Sequence, residues 1–354
     1  MEIAVKDYST LYEMNSNLLL IGPNFHDFNK YIERAFVELG WEVSTIAYDT
    51  PIHPYTTINK IRYKLSGRKD GLKEKSRQLF SEKAIALFES TKPQMVFMLN
   101  GDMLTPDAVR IMRKTSKIIV WLFDSITRLP DCWNILPHCD KVFCYERDDI
   151  PLIQEKLSIN AGFLSQAVDS KAYYTIPNVK KKWDIVFAAD MWKSPRRKRL
   201  IQLVVSSFPD CKIRVHGIYK PWYKGFWQWL TRERRDIYTN CYATTEQLNI
   251  DYNQAQVVLN IHNEQQNIGA NPKVYEISAT GSYQVCDANP YIEEIFPNGE
   301  VGLYHNEEEL IEQIRWALNP NNEKDREQKA KQAQAVILSS HTFYHRLQKI
   351  SELL

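Results

Sequence analysis

Residues 257–305 read VVLNIHNEQQNIGANPKVYEISATGSYQVCDANPYIEEIFPNGEVGLYH. An apolar run, Val257–Ile261, gives way after a polar stretch to Pro272–Ala279, which reads as a helix. Two further short apolar runs, Tyr283–Cys286 and Gly302–Tyr304, precede an amphipathic helix over Glu307–Leu318. Short, continuously apolar strands alternating with helices belong to a parallel sheet covered on both faces.

The alternation extends upstream through a strand at Trp183–Ala188 (WDIVFA), a helix over Arg196–Ser206 and a strand at Lys212–Gly217. It breaks at the polar, proline-containing segment Ser165–Lys182 (SQAVDSKAYYTIPNVKKK) and resumes on the N-terminal side. There, strands are expected at Leu18–Gly22, Trp41–Ala47, Met95–Leu99, Lys117–Phe123 and Lys141–Cys144. Helices are expected at Asn29–Gly40, Lys73–Ser90 and Pro106–Arg113. The expected architecture is therefore α/β, with two Rossmann-like domains facing across a cleft at residues 1–165 and 166–335. A mostly helical tail follows, its last part (336–354) packing back on the first domain. Ligands in such sheets lie at the carboxyl ends of the strands.

Composition narrows the function. The chain has 354 residues, 44% hydrophobic and 25% charged, enough for two domains of about 150–180 residues. Lys+Arg 45 against Asp+Glu 43 leaves a net charge of +2, which argues against a nucleic-acid partner. The longest clean apolar runs, such as Ile118–Phe123, fall far short of the ~18–20 residues of a membrane span. The N-terminal MEIAVKDYST lacks the layout of a signal peptide, so a cytoplasmic location is expected. The six cysteines include no Cys-x-x-Cys pair; Cys132, His138, Cys139 and Cys144 cluster without a zinc spacing, and buried free thiols are expected.

Several chemistries are excluded. The first turn, Gly22-Pro23-Asn24-Phe25-His26, carries no Gly-x-Gly-x-x-Gly, which speaks against a nicotinamide oxidoreductase. No P-loop and no Gly-x-Ser-x-Gly elbow occurs.

Residues 165–345 resemble the GT-B glycosyltransferases related to the spore-maturation protein CgeB. The resemblance rests on Leu259-Asn260-Ile261-His262, on Asn271-Pro272-Lys273-Val274-Tyr275-Glu276, and on Gly281 and Asp287. It extends through Phe296-Pro297-Asn298-Gly299-Glu300 and Tyr304. Upstream, Asp184-Ile185-Val186-Phe187 with Arg196 or Arg197, and Val215-His216-Gly217, match the family's basic loop and next strand end. The N-terminal half matches only in layout.

That resemblance implies a nucleotide-diphosphate sugar as donor, a UDP-sugar above others, and transfer of the hexosyltransferase type. Glu276 would accept from the ribose hydroxyls, and Lys273, one turn earlier on the same helix face, would meet the diphosphate with the helix N-terminus. Arg196 or Arg197 would bring a second positive charge to the leaving group, so that no metal and no further cofactor is needed. Asn271, Gly217, His262 and Gly281 complete the expected donor site. Without the resemblance, Lys273 and Glu276 would read as an exposed i,i+3 ion pair. The retaining enzymes of this fold carry a second acid eight positions before the ribose-binding glutamate, where this chain has Ile268 and the nearest acid is Glu264.

The N-terminal domain is expected to bind the acceptor and supply a base. Asp124, after Ile118–Phe123, is placed like the base of the phage DNA-base glucosyltransferases; Asp102 and His26 stand at two other strand ends. Each also reads as a turn or loop-capping residue. Lys60–Lys69 (KIRYKLSGRK) and Pro221–Arg235 (PWYKGFWQWLTRERR) interleave basic and aromatic residues. Besides ordinary packing, they suit a lipid-linked or glycan acceptor and a peripheral contact with the inner face of a membrane. The rival readings are a DNA-base glycosyltransferase, for which a basic groove would speak, and a non-catalytic two-lobed binding protein.

Overall fold

The computed structural model describes residues 16–49, 69–192, 194–219, 236–264 and 268–352. Two compact units are present, each built on its own parallel sheet. Unit 1 holds the described residues up to Cys144, Asp149–Phe163 and those from Ile350; unit 2 holds Tyr145–Asp148 and Leu164–Lys349. Against an expected boundary at 165/166, the chain passes between units at 163/164 and lends 145–148 to unit 2.

Unit 1 contains β1 (Asn17–Gly22), α1 (Phe28–Glu38), β2 (Glu42–Ala47), α2 (Lys69–Thr91), β3 (Met95–Leu99) and α3 (Pro106–Arg113). β4 (Lys117–Leu122), β5 (Lys141–Cys144), α4 (Asp149–Leu157) and β6 (Ala161–Phe163) complete it, in the order β2-β1-β3-β4-β5-β6. All neighbours are parallel. Strand residues alternate between faces: Val96 and Met98 join the cluster of Ile118, Val120 and Phe80, while Phe97 packs edge-on to Phe36 and Trp121. Cys132, Cys139 and Cys144 are buried free thiols in the first of these cores.

Unit 2 contains β7 (Trp183–Ala188), α5 (Pro195–Ser207), β8 (Ile213–His216), α6 (Thr245–Asn253), β9 (Ala255–Asn260) and α7 (Pro272–Ala279). There follow β10 (Gln284–Asp287), α8 (Pro290–Ile295), β11 (Gly302–Tyr304), α9 (Glu307–Leu318), α10 (Glu323–Ser340) and α11 (Phe343–Ser351), the last two residues of which count with unit 1. Its order is β11-β10-β9-β7-β8, again parallel throughout. Ile185, Phe187, Val257, Leu259 and Val285 form the core against Leu200, Val204, Leu310 and Ile314.

In each sheet the chain runs outward from its first strand and then returns to that strand's other side. The order therefore reverses between β1 and β3 and between β7 and β9, and crevices open at the carboxyl ends of those pairs. The tail, expected as a mostly helical segment, is interrupted at His341–Thr342. Val168 pairs there with Thr342, donating to the His341 carbonyl at 3.2 Å and accepting from Phe343 at 3.0 Å. Beyond the break, Arg346 holds the carbonyl of Ser165 at 3.1 Å, so α11 fastens the connecting segment to unit 2. No described helix is long and apolar enough to cross a membrane. The basic stretch at 60–69, its last backbone position apart, and the aromatic stretch at 221–235 lie outside the described residues.

Candidate functional site

The carboxyl edge of β9 and the start of α7 are built as one polar unit. Asn271 is the N-cap, its Oδ1 accepting the Val274 N–H at 3.2 Å, and Pro272 follows where a missing N–H costs nothing. Its amide pairs reciprocally with buried Asn260, at 2.9 and 3.1 Å. The Asn271 backbone N–H donates to His262 Nε2 at 3.2 Å, which leaves the ring proton on Nδ1, and Nδ1 donates to Asp287 Oδ1 at 2.6 Å. The helix start thus faces the crevice with its orientation fixed by three side chains from β9 and β10.

On the first turns of α7, Lys273 Nζ stands 3.4 Å from Glu276 Oε2. The side chains are only 22% and 11% exposed, which separates them from a solvated surface pair. Burial opposes the Lys273 charge, but Glu276 and Tyr252 beside it hold its pKa above the ordinary lysine value. A buried carboxylate and a charged ammonium therefore lie together at a helix N-terminus, a combination suited to hydroxyls and an anionic group.

The β7–α5 turn adds the arginines, and the structure separates the two. Ser194 caps α5, accepting the Arg197 N–H at 3.3 Å. Arg197 turns toward the strand ends, donating from Nε to the Ile261 carbonyl at 2.8 Å and from Nη1 to that of Asp190 at 3.4 Å. Arg196 Nη1 donates to Asp287 Oδ2 at 2.7 Å and to the His262 carbonyl at 3.0 Å. Glu264 Oε1 accepts the Arg196 N–H at 2.8 Å and the Ser194 hydroxyl at 3.2 Å, a carboxylate seated on the helix start. Burial would raise the Asp287 carboxyl, but the His262 ring and the Arg196 guanidinium hold it well below the ordinary range.

His262, Cys286 and Asp287 bring Nδ1, Sγ and a carboxylate oxygen within 4.8 Å of one another, a metal-capable composition. The donor set fits hydrogen bonding better. Nδ1 carries its proton to Asp287, Arg196 holds the other oxygen, and burial pushes the Cys286 thiol well up, keeping it protonated.

Gly217 closes β8 with φ +112°, and a Cβ there would stand 2.0 Å from the Ala189 carbonyl oxygen. It is a close approach of two strand ends at the crevice. Gly281 is not brought to the site. With φ +72° it ends α7 at the opposite terminus, where Thr175 and Gln334 take the Thr280 and Ala279 carbonyls at 3.0 and 2.7 Å. At Ile268, where the sequence lacks an acid, buried Glu146 accepts the backbone N–H groups of Ile268 and Gly269, at 3.2 and 2.7 Å.

In unit 1, His26, Asp102 and Asp124 follow β1, β3 and β4, three neighbouring strands. Asp124 pairs with Arg128 at 2.6 Å; burial lifts its carboxyl and Arg128 opposes the lift. Burial likewise raises Asp102, against Lys73 and Arg77. His26 and Asp27 both have positive φ, 55° and 59°, and the His26 ring lies 3.8 Å from that of Phe25. Asp49 fixes the start of this turn, accepting the Asn24 and Phe25 N–H groups at 2.8 Å each.

The sequence reading did not place Asp287, Glu264, Asn260 and Ser194 in the site. The signal for the first was an acid closing an apolar run; the others depend on which loops the sheet brings together.

Two parallel α/β sheets with helices make this a GT-B fold. The structure superposes on sucrose-phosphate synthase from Thermosynechococcus elongatus with a TM-score of 0.68 at 12% identity, covering 96% of this chain and 98% of that one. It superposes on the UDP-glucose complex of HepE from Anabaena with a TM-score of 0.62 at 14% identity, covering 95% and 98%. A glycosyltransferase from Rickettsia africae gives a TM-score of 0.61 at 11% identity, covering 96% and 98%. Residues 196–352 match the family model described as Glycosyl transferase-like, a span that begins at Arg196 and contains Lys273, Glu276 and Asp287. Curated protein sequences give no match.

Proposed function

We propose that the protein is a glycosyltransferase of the CgeB-related group, using a UDP-sugar held in unit 2. The observation that carries this reading is the buried Glu276–Lys273 pair on the first turns of α7, with Arg196 at the start of α5 linked to the α7 start through Asp287 and His262. Glu276 accepts from the ribose hydroxyls, Lys273 and the α7 N-terminus receive the diphosphate, and Arg196 adds the second charge. Arg197, spent on backbone carbonyls, is the scaffold for that turn. The bound UDP-glucose of the Anabaena relative supports the choice of donor. Cationic stabilisation of the leaving UDP by Arg196 and Lys273 supplies what a metal would otherwise supply. The acceptor, a glycan or lipid-linked hydroxyl compound, is assigned to unit 1 with Asp124 as general base. A carboxyl lifted by burial is the better matched to taking a proton near neutral pH. Contact with the inner face of a membrane would belong to the acceptor, not to the donor chemistry.

Titration calorimetry of UDP tests the ribose assignment. Glu276→Ala removes charged hydrogen bonds worth about 1.5–3 kcal/mol, a loss of about 10- to 150-fold in affinity. 2′,3′-Dideoxy-UDP should bind both proteins equally weakly. UDP affinity unchanged by Glu276→Ala sinks the assignment. Release of sugar from UDP-glucose by the purified protein separates an enzyme from a binding protein of the same fold.

A further inference from the structure

We propose that Asp287 is a positioning residue, the group that aims Arg196 at the donor's diphosphate; this rests on the nucleotide reading above. Asp287 closes β10, the strand beside β9, and its carboxylate gathers three parts of the site. Oδ1 and Oδ2 both accept the His262 backbone N–H at 3.1 Å, and Oδ1 accepts the His262 Nδ1 proton at 2.6 Å. Oδ2 accepts from Arg196 Nη1 at 2.7 Å. The same Nη1 reaches the His262 carbonyl at 3.0 Å, so both of its hydrogens are committed. One corner of the guanidinium is pinned, and its Nε–Nη2 edge is the part not spent on these contacts.

An arginine on a solvated helix start loses several rotatable bonds' worth of freedom when it grips an anion. Here part of that ordering is done in advance, because the contacts with Asp287 and the His262 carbonyl fix one corner of the guanidinium to the sheet. The carboxylate also has an opposing effect, since its charge weakens the field that Arg196 offers an anion. Positioning outweighs it if the guanidinium would otherwise swing to solvent, which its partly exposed side chain allows. Asp287 also holds His262 in the Nδ1–H form, whose Nε2 takes the Asn271 N–H at the start of α7. Both flanks of the diphosphate site, Arg196 on α5 and the capped start of α7, are therefore referred to one side chain.

Asp287→Asn is nearly isosteric, but it turns one acceptor into a donor facing the donors of His262 or Arg196. The test is calorimetry of UDP and UMP on the full chain, for wild type, Asp287→Asn, Arg196→Ala and the double variant, at one ionic strength. The expected result is an about tenfold loss of UDP affinity in Asp287→Asn, the middle of the range for contacting residues. UMP should change less than about twofold, and in the Arg196→Ala background the Asp287→Asn effect should shrink to about threefold or less, the remainder being the share carried through His262 and the start of α7. Where Asp287→Asn does not fold, Asp287→Glu, which displaces the same charge, should weaken UDP selectively in the same way. UDP binding kept or tightened in Asp287→Asn while Arg196→Ala is impaired overturns the role of Asp287 alone. So does a loss of equal size in the Arg196→Ala background. A wild type that binds UDP no better than UMP overturns the diphosphate reading and this role with it.

Discussion

Gly217→Ala is the sharpest test of how the crevice is built. A Cβ at this position would lie 2.0 Å from the Ala189 oxygen, 2.6 Å from its carbonyl carbon and 3.2 Å from the Asp190 nitrogen. All three are backbone atoms, so no side chain can rotate out of the way. Relief requires the ends of β7 and β8 to part, and two hydrogen bonds tie them there. The Ala189 N–H meets the His216 carbonyl at 3.1 Å, and the Met191 N–H meets that of Ile218 at 3.1 Å. Losing both costs about 2 kcal/mol, and a side chain at φ +112° adds about 1–2 kcal/mol, for a total of about 3–4 kcal/mol.

Gly299→Ala is the control within the same unit. It has φ +70°, and its only nearby atom is the flexible tip of Lys329 at 3.4 Å, so backbone strain of about 1–2 kcal/mol is the whole expected cost. Hydrogen exchange of the β7 and β8 amides in the full chain reads unit 2 directly and gives each variant's opening free energy. Gly217→Ala should fall below Gly299→Ala by about 2 kcal/mol. A difference under about 0.5 kcal/mol would refute the close approach of the strand ends. Because the displaced Asp190 carbonyl receives Arg197, Gly217→Ala should also weaken UDP binding.

Two further outcomes follow from the charges at the α5 start. Glu264 holds the Arg196 N–H where an anionic ligand would be received, so Glu264→Gln should tighten UDP about two- to fivefold by calorimetry; weaker binding would show that the carboxylate supports the site. The Asp287 carboxyl is depressed by its partners, so the folded state binds fewer protons than the unfolded chain near the unfolded value of about 3.9. Its stabilisation is therefore fully present above that value and is lost as pH falls below it. The gap in urea midpoint between wild type and Asp287→Asn should be constant from about pH 7 to about pH 5 and narrow progressively below about pH 4, closing only as the depressed folded value is reached; a gap that does not narrow below about pH 4 would contradict the assigned charge.

Most strands were legible because parallel strands covered on both faces carry no polar alternation. LLLIG, MVFML and WDIVFA each announce a buried strand without reference to the rest of the chain. What escaped has physical reasons of its own. Helix α6 buries Asn249, Asp251 and Asn253, so it shows no apolar stripe. Those residues serve as polar partners instead: Asn249 and Asn253 accept the N–H groups of Tyr174 and Ile176 at 3.0 and 2.8 Å, and Asp251 meets His216 at 2.6 Å. Helix α8 has six residues and β6 has three, too few for any period to declare itself.

The site was legible only as far as local spacing reaches. Lys273 and Glu276 are three residues apart on one helix, and their pairing needs no knowledge of the fold. Arg196 and Arg197 show where such reading ends. As neighbours they are equivalent in sequence, yet successive helical residues point about 100° apart. One of them meets the carboxylate that closes β10, and the other is spent on the carbonyls at the ends of β9 and β7. Their different chemistry comes from the strand order, which sets β9 between β10 and β7 and so brings Asp287, His262 and Asp190 to a single helix start. The proposed diphosphate site accordingly needs no excess of positive charge in a chain of net charge +2. The charge is not in excess; it is aimed, with each cation given its own carboxylate, Glu276 for Lys273 and Asp287 for Arg196.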